Sequence, residues 1–194
     1  MRRARLLTVL VTLGAGALLL VSSTQTWFAV VLRDSPDQAL EVAGSSAVPV
    51  LAPLALAALA VGAASSLAGR VLGTIFGAID IAIAAAVAAL VLPPVFGSWQ
   101  AAISATVTEA TGIAGAEGIS GLVSSVTPTA WPWLSLVFAA VLAGAGVLAL
   151  VSARAWTSSG RRYRTDAAAA PHSAGPLDAV DSWDELSHGE DPTR

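Results

Sequence analysis

The sequence predicts an all-α membrane protein in which four transmembrane helices form a bundle. Of its 194 residues, 55% are hydrophobic and only 12% are charged, and the mean hydropathy is +0.73. Soluble domains have roughly 25% charged residues, so this chain has too few charges to cover a water-exposed surface. The apolar residues are also concentrated in four long runs. These observations exclude a typical soluble enzyme and a disordered chain.

The four apolar runs lie at residues 6–26, 48–68, 71–92 and 131–153. Each reaches the roughly 20 residues that a helix needs to cross the hydrocarbon core. The runs are rich in Ala and Leu and lack two-residue alternation, so they fit helices and not barrel strands. A single helix over 48–92 would be about twice as long as the ~30 Å core. A tight turn at Gly69–Arg70 is therefore predicted, with Gly69 suited to a helix C-terminus.

The distribution of arginine predicts that both chain ends are cytoplasmic. Arginines precede the first run, occupy the tight turn and follow the fourth run, whereas the opposite side has only Arg33 beside three acidic residues. Positive residues favour the cytoplasmic side, so we expect a multi-pass protein of the cytoplasmic (plasma) membrane. The first run also resembles a signal peptide cleaved after Ser23. Cleavage would leave three helices and an external N-terminus.

Tryptophans mark the ends of the predicted helices. Indole rings prefer the membrane–water interface, so five of the six tryptophans are expected to be interfacial anchors. The alternative is a tryptophan cluster that binds a ligand. The five are Trp27, Trp99, Trp131, Trp133 and Trp156.

Two outer loops connect the predicted helices. The first, residues 28–47, is acidic and contains turn-forming residues, which favours irregular structure. The second, residues 93–130, has apolar residues at helical spacing interrupted by glycines, which predicts two short amphipathic helices. These helices form either a packed cap or a lid over a cavity. Together with the four spans, the loops make a transmembrane domain of residues 1–156.

Residues 157–194 are predicted to be a cytoplasmic, mostly disordered tail that starts basic and becomes acidic. Near its end, an aromatic and an apolar residue at i, i+3 form a candidate motif for a cytoplasmic protein partner. The alternative is a tail that is merely soluble. The motif comprises Trp183, Leu186, Gly189, Glu190, Asp191, Pro192 and Thr193.

Asp80 is the only ionisable residue deep in a predicted span, and we treat it as a candidate intramembrane polar site. A charged carboxylate there costs at least ~2.5–3.5 kcal/mol. The Asp80 carboxyl must therefore be protonated, paired with another polar group or in contact with water. Gly69, Gly73 and Gly77 form a small-residue run that lets another helix approach closely. Asp80 is therefore expected to face the bundle or a second copy in a homo-oligomer. Its candidate partners are Thr8, Thr12, Ser65 and Ser66.

Three roles for Asp80 remain open. It could bind a proton or ligand, act as a neutral carboxyl that joins helices by hydrogen bonding, or be an inconsequential substitution near a water-filled gap. Little else suggests chemistry, because the chain has no cysteine and only His172 and His188 among its imidazoles. No metal-ligand spacing or phosphate-binding loop is present. We expect no enzyme activity and no cofactor, and the net charge of −3 argues against nucleic-acid binding.

Several features occur together in this chain: an Arg-rich start, STQTW at the end of the first run, a proline-containing second run, the GR turn, the WPWL entry to the last run and the terminal W-x-x-L-x-x-G-E-D-P-T. With these features the chain resembles the tryptophan-associated transmembrane protein family. This resemblance covers nearly the whole chain. It implies a genetic context near tryptophan biosynthesis genes and supplies no catalytic residues. The favoured function is an accessory or scaffold protein whose tail recruits a cytoplasmic partner. The alternative is a small transporter or channel subunit for tryptophan, indole or a related solute.

Overall fold

The computed structural model describes residues 2–97 and 99–153, all of which lie in one unit, Met1–Thr157. Trp156 and the predicted tail with its motif at 183–193 lie outside the described residues. In chain order the elements are α1 (Arg2–Thr24), β1 (Thr26–Leu32), β2 (Ser35–Ala43), α2 (Gly44–Ala47), α3 (Leu51–Ser65), α4 (Arg70–Val95), α5 (Trp99–Thr111), α6 (Ala116–Leu122), β3 (Val123–Pro128) and α7 (Trp131–Ala153).

Three helices in the described part of the chain are long and apolar enough to cross a membrane. They correspond to Leu6–Thr24 of α1, Val71–Val95 of α4 and Trp131–Ser152 of α7. The second predicted run, 48–68, contains a shorter apolar helix of 15 residues, α3. At ~1.5 Å per residue α3 is roughly 22 Å long, less than a ~30 Å hydrocarbon core. Turns occupy both ends of the run, and these shorten the helix relative to the prediction.

The four long or apolar helices pack in the order α3, α1, α7, α4. Helix α1 lies between α3 and α7, and α7 packs extensively against α4, whereas α3 and α4 share fewer contacts. The connection between α3 and α4 is short, so the two helices run in opposite directions. Gly69 was predicted to end a helix, but it has extended backbone (φ −79°, ψ −171°) and precedes α4 as its N-cap. The preceding helix already ends at Ser65.

A three-stranded antiparallel sheet contradicts the all-α prediction and the irregular first loop. Its strand order is β2-β1-β3, with β1 in the centre. Strand β1 is rich in β-branched and aromatic residues, which fit a pleated, half-buried surface. The rows Leu40–Val30–Val126 and Val42–Phe28–Pro128 carry apolar side chains across the sheet. Residues at alternate positions, such as Glu41, belong to the other face.

The sheet, α2, α5 and α6 together form what we call the cap. Ile103 and Val107 of α5 and Ile119 of α6 are buried in the same core cluster as Phe28 and Val30 of β1. Helices α5 and α6 lie within the predicted second loop, residues 93–130. Each of the four bundle helices is joined to the cap at one end. Helices α1 and α4 enter the cap, and α3 and α7 leave it.

Candidate functional site: buried polar contacts of the bundle

The carboxyl of Asp80 lies between helices inside the bundle, and Asp80 is only 2% exposed. The Thr12 hydroxyl of α1 donates a hydrogen bond to Asp80 Oδ2 across a distance of 3.2 Å. Within the described part of the chain, Asp80 Oδ1 is buried and has no hydrogen-bond partner. Of the four predicted partners, Thr12 therefore supplies a contact that joins α1 to α4. A buried oxygen without a donor is costly, so this carboxyl is the most unusual polar group of the bundle.

Beside Asp80, α4 and α7 approach to backbone contact. A Cβ added to Gly77 would lie 2.9 Å from the Gly146 carbonyl oxygen, and one added to Gly146 would lie 2.6 Å from the Gly77 carbonyl oxygen. The same added atom on Gly146 would be 3.2 Å from the Asp80 Cβ. The two glycines therefore allow the backbones to meet, as small residues do at membrane helix interfaces. They also exclude a side chain from the space next to the carboxyl.

The predicted glycine run does not act as one surface. Gly73 and Gly77 are buried, whereas Gly69 is exposed and has open space around the position of a Cβ. Gly146, the partner of Gly77, was not singled out from the sequence. Its signal was the small-residue stretch at 143–146, which also contains Gly144, a glycine with nothing near its Cβ position. Hydropathy does not distinguish these two glycines, because only the facing helix makes one of them necessary.

A second buried polar cluster joins the bundle to the cap. Trp27 of β1 is fully buried and its Nε1–H donates to the Ser22 carbonyl oxygen at 2.9 Å and to Ser22 Oγ at 3.2 Å. Ser22 Oγ and Ser135 Oγ are 2.7 Å apart, and Ser135 Oγ donates to the Trp131 carbonyl oxygen at 3.0 Å. If Ser22 donates to Ser135, every hydroxyl hydrogen in this chain of contacts is used. The cluster thus links α1, β1 and α7.

Gly44, the first residue of α2, completes this junction. A Cβ at Gly44 would lie 2.6 Å from Trp27 Nε1 and 2.7 Å from the Ser22 carbonyl oxygen. The Gly44 N–H also donates to the Gln25 carbonyl oxygen at 2.9 Å. Only a residue without a side chain fits here without a shift, because a methyl group would overlap both atoms.

The tryptophans predicted as interfacial anchors have different environments. Trp27 lies inside the protein, so its indole packs against protein atoms. Trp99 and Trp131 are half-buried. Trp133 is 49% exposed and contacts Phe96 edge to face, with ring centroids 5.4 Å apart. These two exposed aromatic rings lie where α4 ends and α7 begins, at the cap end of the bundle.

The cap also contains an open groove of about 640 Å³ between α5 and α6. Gln100, Ser104 and Thr108 line it from α5, and Gly115 and Ile119 line it from the other side. The Ser104 and Thr108 hydroxyls already donate to carbonyl oxygens of the chain. Gly115 has a φ of +99°, a conformation that favours glycine. Among the described residues, no group of His, Cys, Asp and Glu could hold a metal ion.

A known protein family matches nearly the whole chain. The model of the tryptophan-associated transmembrane protein family matches residues 8–193. The chain belongs to this family. The resemblance inferred from the sequence is thereby confirmed, and the chain is a mostly helical, multi-pass membrane protein. No curated protein and no solved structure matches it.

In this family member, the described polar groups of the bundle join helices to one another. Ser22, Ser135 and the Trp27 indole hydrogen bond to each other or to main-chain oxygens. The contacts of Asp80 run between helices and not into the open groove of the cap. Such an arrangement fixes helix positions, and the carboxyl of Asp80 is the one described group in the spans that can gain or lose a proton.

Proposed function

We propose that this protein is a non-enzymatic accessory or scaffold protein of the cytoplasmic membrane. In this proposal α1, α3, α4 and α7 all cross the bilayer, the two chain ends are cytoplasmic and the cap is external. The tail at 157–194 would recruit a cytoplasmic protein through its motif at 183–193. The role in the cell would be connected to tryptophan metabolism, as the description of the family suggests.

The observation that carries the proposal is the backbone contact between Gly77 and Gly146. With each carbonyl oxygen this close to the facing glycine, no solute fits between the α4 and α7 backbones at this point. The neighbouring Asp80 is buried and so is not presented to a ligand. A bundle packed in this way suits a protein that positions other groups. The match to the family extends to residue 193 and therefore includes the tail motif, which supports a shared role for that segment.

The four-pass topology is supported by the connections to the cap. Helices α1 and α4 enter it and α3 and α7 leave it, so the tight turn before Arg70 lies at the opposite end. Arginine in that turn favours its cytoplasmic location. Helix α3 is short, and neighbouring helices or local thinning of the bilayer would accommodate the mismatch.

Single cysteines test the topology, because the natural chain has none. Ser124→Cys places a thiol on β3 in the cap, and Ser66→Cys places one in the turn after α3. We expect a membrane-impermeant maleimide to label Ser124→Cys in intact cells and Ser66→Cys only after permeabilisation. The unmodified protein is the control and should not be labelled. Labelling of Ser66→Cys in intact cells would exclude the proposed topology.

Co-purification from native membranes in a mild detergent tests recruitment by the tail. Trp183→Ala with Leu186→Ala should remove a specific co-purifying protein without changing membrane insertion. Leu177→Ala is the matched control, because it removes an apolar side chain from the same tail outside the motif. An identical set of partners for all three proteins would contradict the scaffold proposal.

Transport is the second candidate, and the unpartnered Asp80 Oδ1 favours it. A solute or proton that reached this oxygen would supply the missing hydrogen bond or charge. Uptake of tryptophan and of indole into proteoliposomes tests this function directly. Transport through the site predicts flux with the natural chain, a large loss with Asp80→Asn and no loss with Asp37→Asn in the cap. Absence of flux with the natural chain would remove this candidate.

A further inference from the structure

We propose that Asp80 is a proton-binding site that couples protonation to the packing of α1 against α4. In the packed bundle the carboxyl is the neutral acid. Loss of the proton would require α1 or α7 to move away so that water can reach the group. This inference concerns the internal state of the bundle and holds whether the protein recruits a partner or transports a solute.

Asp80 has no counter-ion among the described residues of the spans. Apart from Asp80 itself, the segments that surround it, 6–24, 51–65, 71–95 and 131–152, contain no Asp, Glu, Lys, Arg or His. The group that faces Asp80 from α1 is the uncharged Thr12, and from α7 it is the backbone at Gly146. Arg70 is ten residues earlier on the same helix, or about 15 Å along its axis. Among the side chains that the structure describes, no cation therefore faces the carboxyl from a neighbouring helix.

The Asp80 carboxyl also has few hydrogen-bond donors. A buried carboxylate is stabilised when several donors share its charge, but here one hydroxyl contacts Oδ2 and Oδ1 has no partner. A charged side chain in the hydrocarbon region costs at least ~2.5–3.5 kcal/mol. A bound proton removes that charge and leaves only an incompletely paired polar group. The observed packing therefore suits the neutral form.

The helix backbones leave little room beside the Asp80 carboxyl. The contact between Gly77 and Gly146 brings the backbone of α7 against α4 next to the Asp80 Cβ. Hydration of an ionised carboxylate would need space that this arrangement fills. Helix α1 packs mainly against α3 and α7 and has few other contacts with α4. The Thr12–Asp80 hydrogen bond is thus a main link between α1 and α4, and it depends on the state of the carboxyl.

Movement of α1 would reach the cap directly. Only Gln25 separates the end of α1 at Thr24 from the start of β1 at Thr26. Strand β1 is the central strand of the sheet and pairs with both others. Proton binding in the membrane would consequently alter the position of the cap.

The direction of the pH effect follows from linkage. The packed bundle suits the neutral carboxyl, so conditions that remove its proton should weaken the packing. In mixed micelles, the SDS concentration at the unfolding midpoint should therefore fall once the pH is high enough to remove this proton. Asp80→Asn, a permanently neutral isostere, should lose this part of the pH dependence. Asp37→Asn removes an exposed carboxyl of the cap and should retain it.

Infrared spectroscopy provides a test that needs no folded variant. The natural protein in bilayers at neutral pH should show a carboxylic C=O band from a protonated side chain, and its loss at high pH should accompany the loosening of the bundle. Thr12→Val should keep the band while lowering the unfolding midpoint, because it removes a hydrogen bond and not the proton. The proposal is overturned if the packed protein at neutral pH lacks that band. It is also overturned if a folded Asp80→Asn has the pH dependence of the natural chain.

Discussion

Trp27 lies so close to Gly44 that a Cβ on the glycine would be 2.6 Å from the indole Nε1. This contact holds the first turn of α2 against the end of α1, where the indole donates to the Ser22 carbonyl oxygen. The junction between cap and bundle thus depends on a residue that has no side chain. It also depends on a ring buried in the protein and not at its lipid-facing surface.

Gly44→Ala should weaken this junction. The new methyl group would displace the indole or the main chain of α1, and such overpacking typically costs about 1–3 kcal/mol. The midpoint of SDS unfolding in mixed micelles measures the change. Gly121→Ala is the matched control, since its Cβ would meet nothing within 4 Å. Equal stability of the two variants would show that the Trp27 site tolerates a side chain.

Gly146→Ala should separate α4 from α7. Its methyl group would meet the Gly77 carbonyl oxygen and the Ile81 side chain, and we expect a loss of about 1–3 kcal/mol in the free energy of unfolding. Gly144→Ala, two residues earlier on α7, has open space and should be close to neutral. Comparable losses in both variants would mean that glycine is needed on this helix for a reason other than the α4 contact.

Ser135→Ala should destabilise the link between α7 and α1. It removes the hydroxyl that contacts Ser22 Oγ and the Trp131 carbonyl oxygen, and a buried hydrogen bond is worth roughly 0.5–1.5 kcal/mol. The combined Ser22→Ala and Ser135→Ala variant should lose less than the sum of the single losses, because the two hydroxyls contact each other. Ser120→Ala, an exposed serine of α6, serves as control. Strict additivity in this cycle would contradict a coupled serine pair.

The membrane segments were largely accessible from the sequence, because a long apolar run suffices to indicate a spanning helix. The runs at 6–26, 71–92 and 131–153 each correspond to a helix of membrane length, although the second of these helices continues to Val95. The run at 48–68 shows the limit of this reasoning. Its hydropathy does not reveal that turns occupy both ends, and the helix is therefore only 15 residues long.

The sheet could not be predicted in the same way. Strand β1 follows α1 after one residue and continues its apolar character, so composition does not separate the two elements. In β2 the alternating pattern is weak, with only Leu40 and Val42 facing the core. Strands β1 and β3 pair although they are far apart in the sequence, and local sequence patterns carry no information about such a partner.

The candidate site was predicted in part. Asp80 was singled out by the cost of a carboxyl in the membrane, and Thr12 was one of four candidate partners named for it. Gly146 and the Ser22–Ser135 pair were missed, because glycine and serine are common in such helices and only the facing element gives them a specific role. The tail residues from Trp183 to Thr193 remain a prediction from sequence.

The order of the strands has a consequence for biogenesis. Val31 of β1 pairs with Ser125 of β3, whose codon is translated about ninety residues later. At a synthesis rate of ~5–20 residues per second, the central strand waits roughly 5–20 s for its second neighbour. During that interval the nascent hairpin of β1 and β2 presents an open edge. A chaperone that shields nascent strands would have its best opportunity to act on this protein in that window.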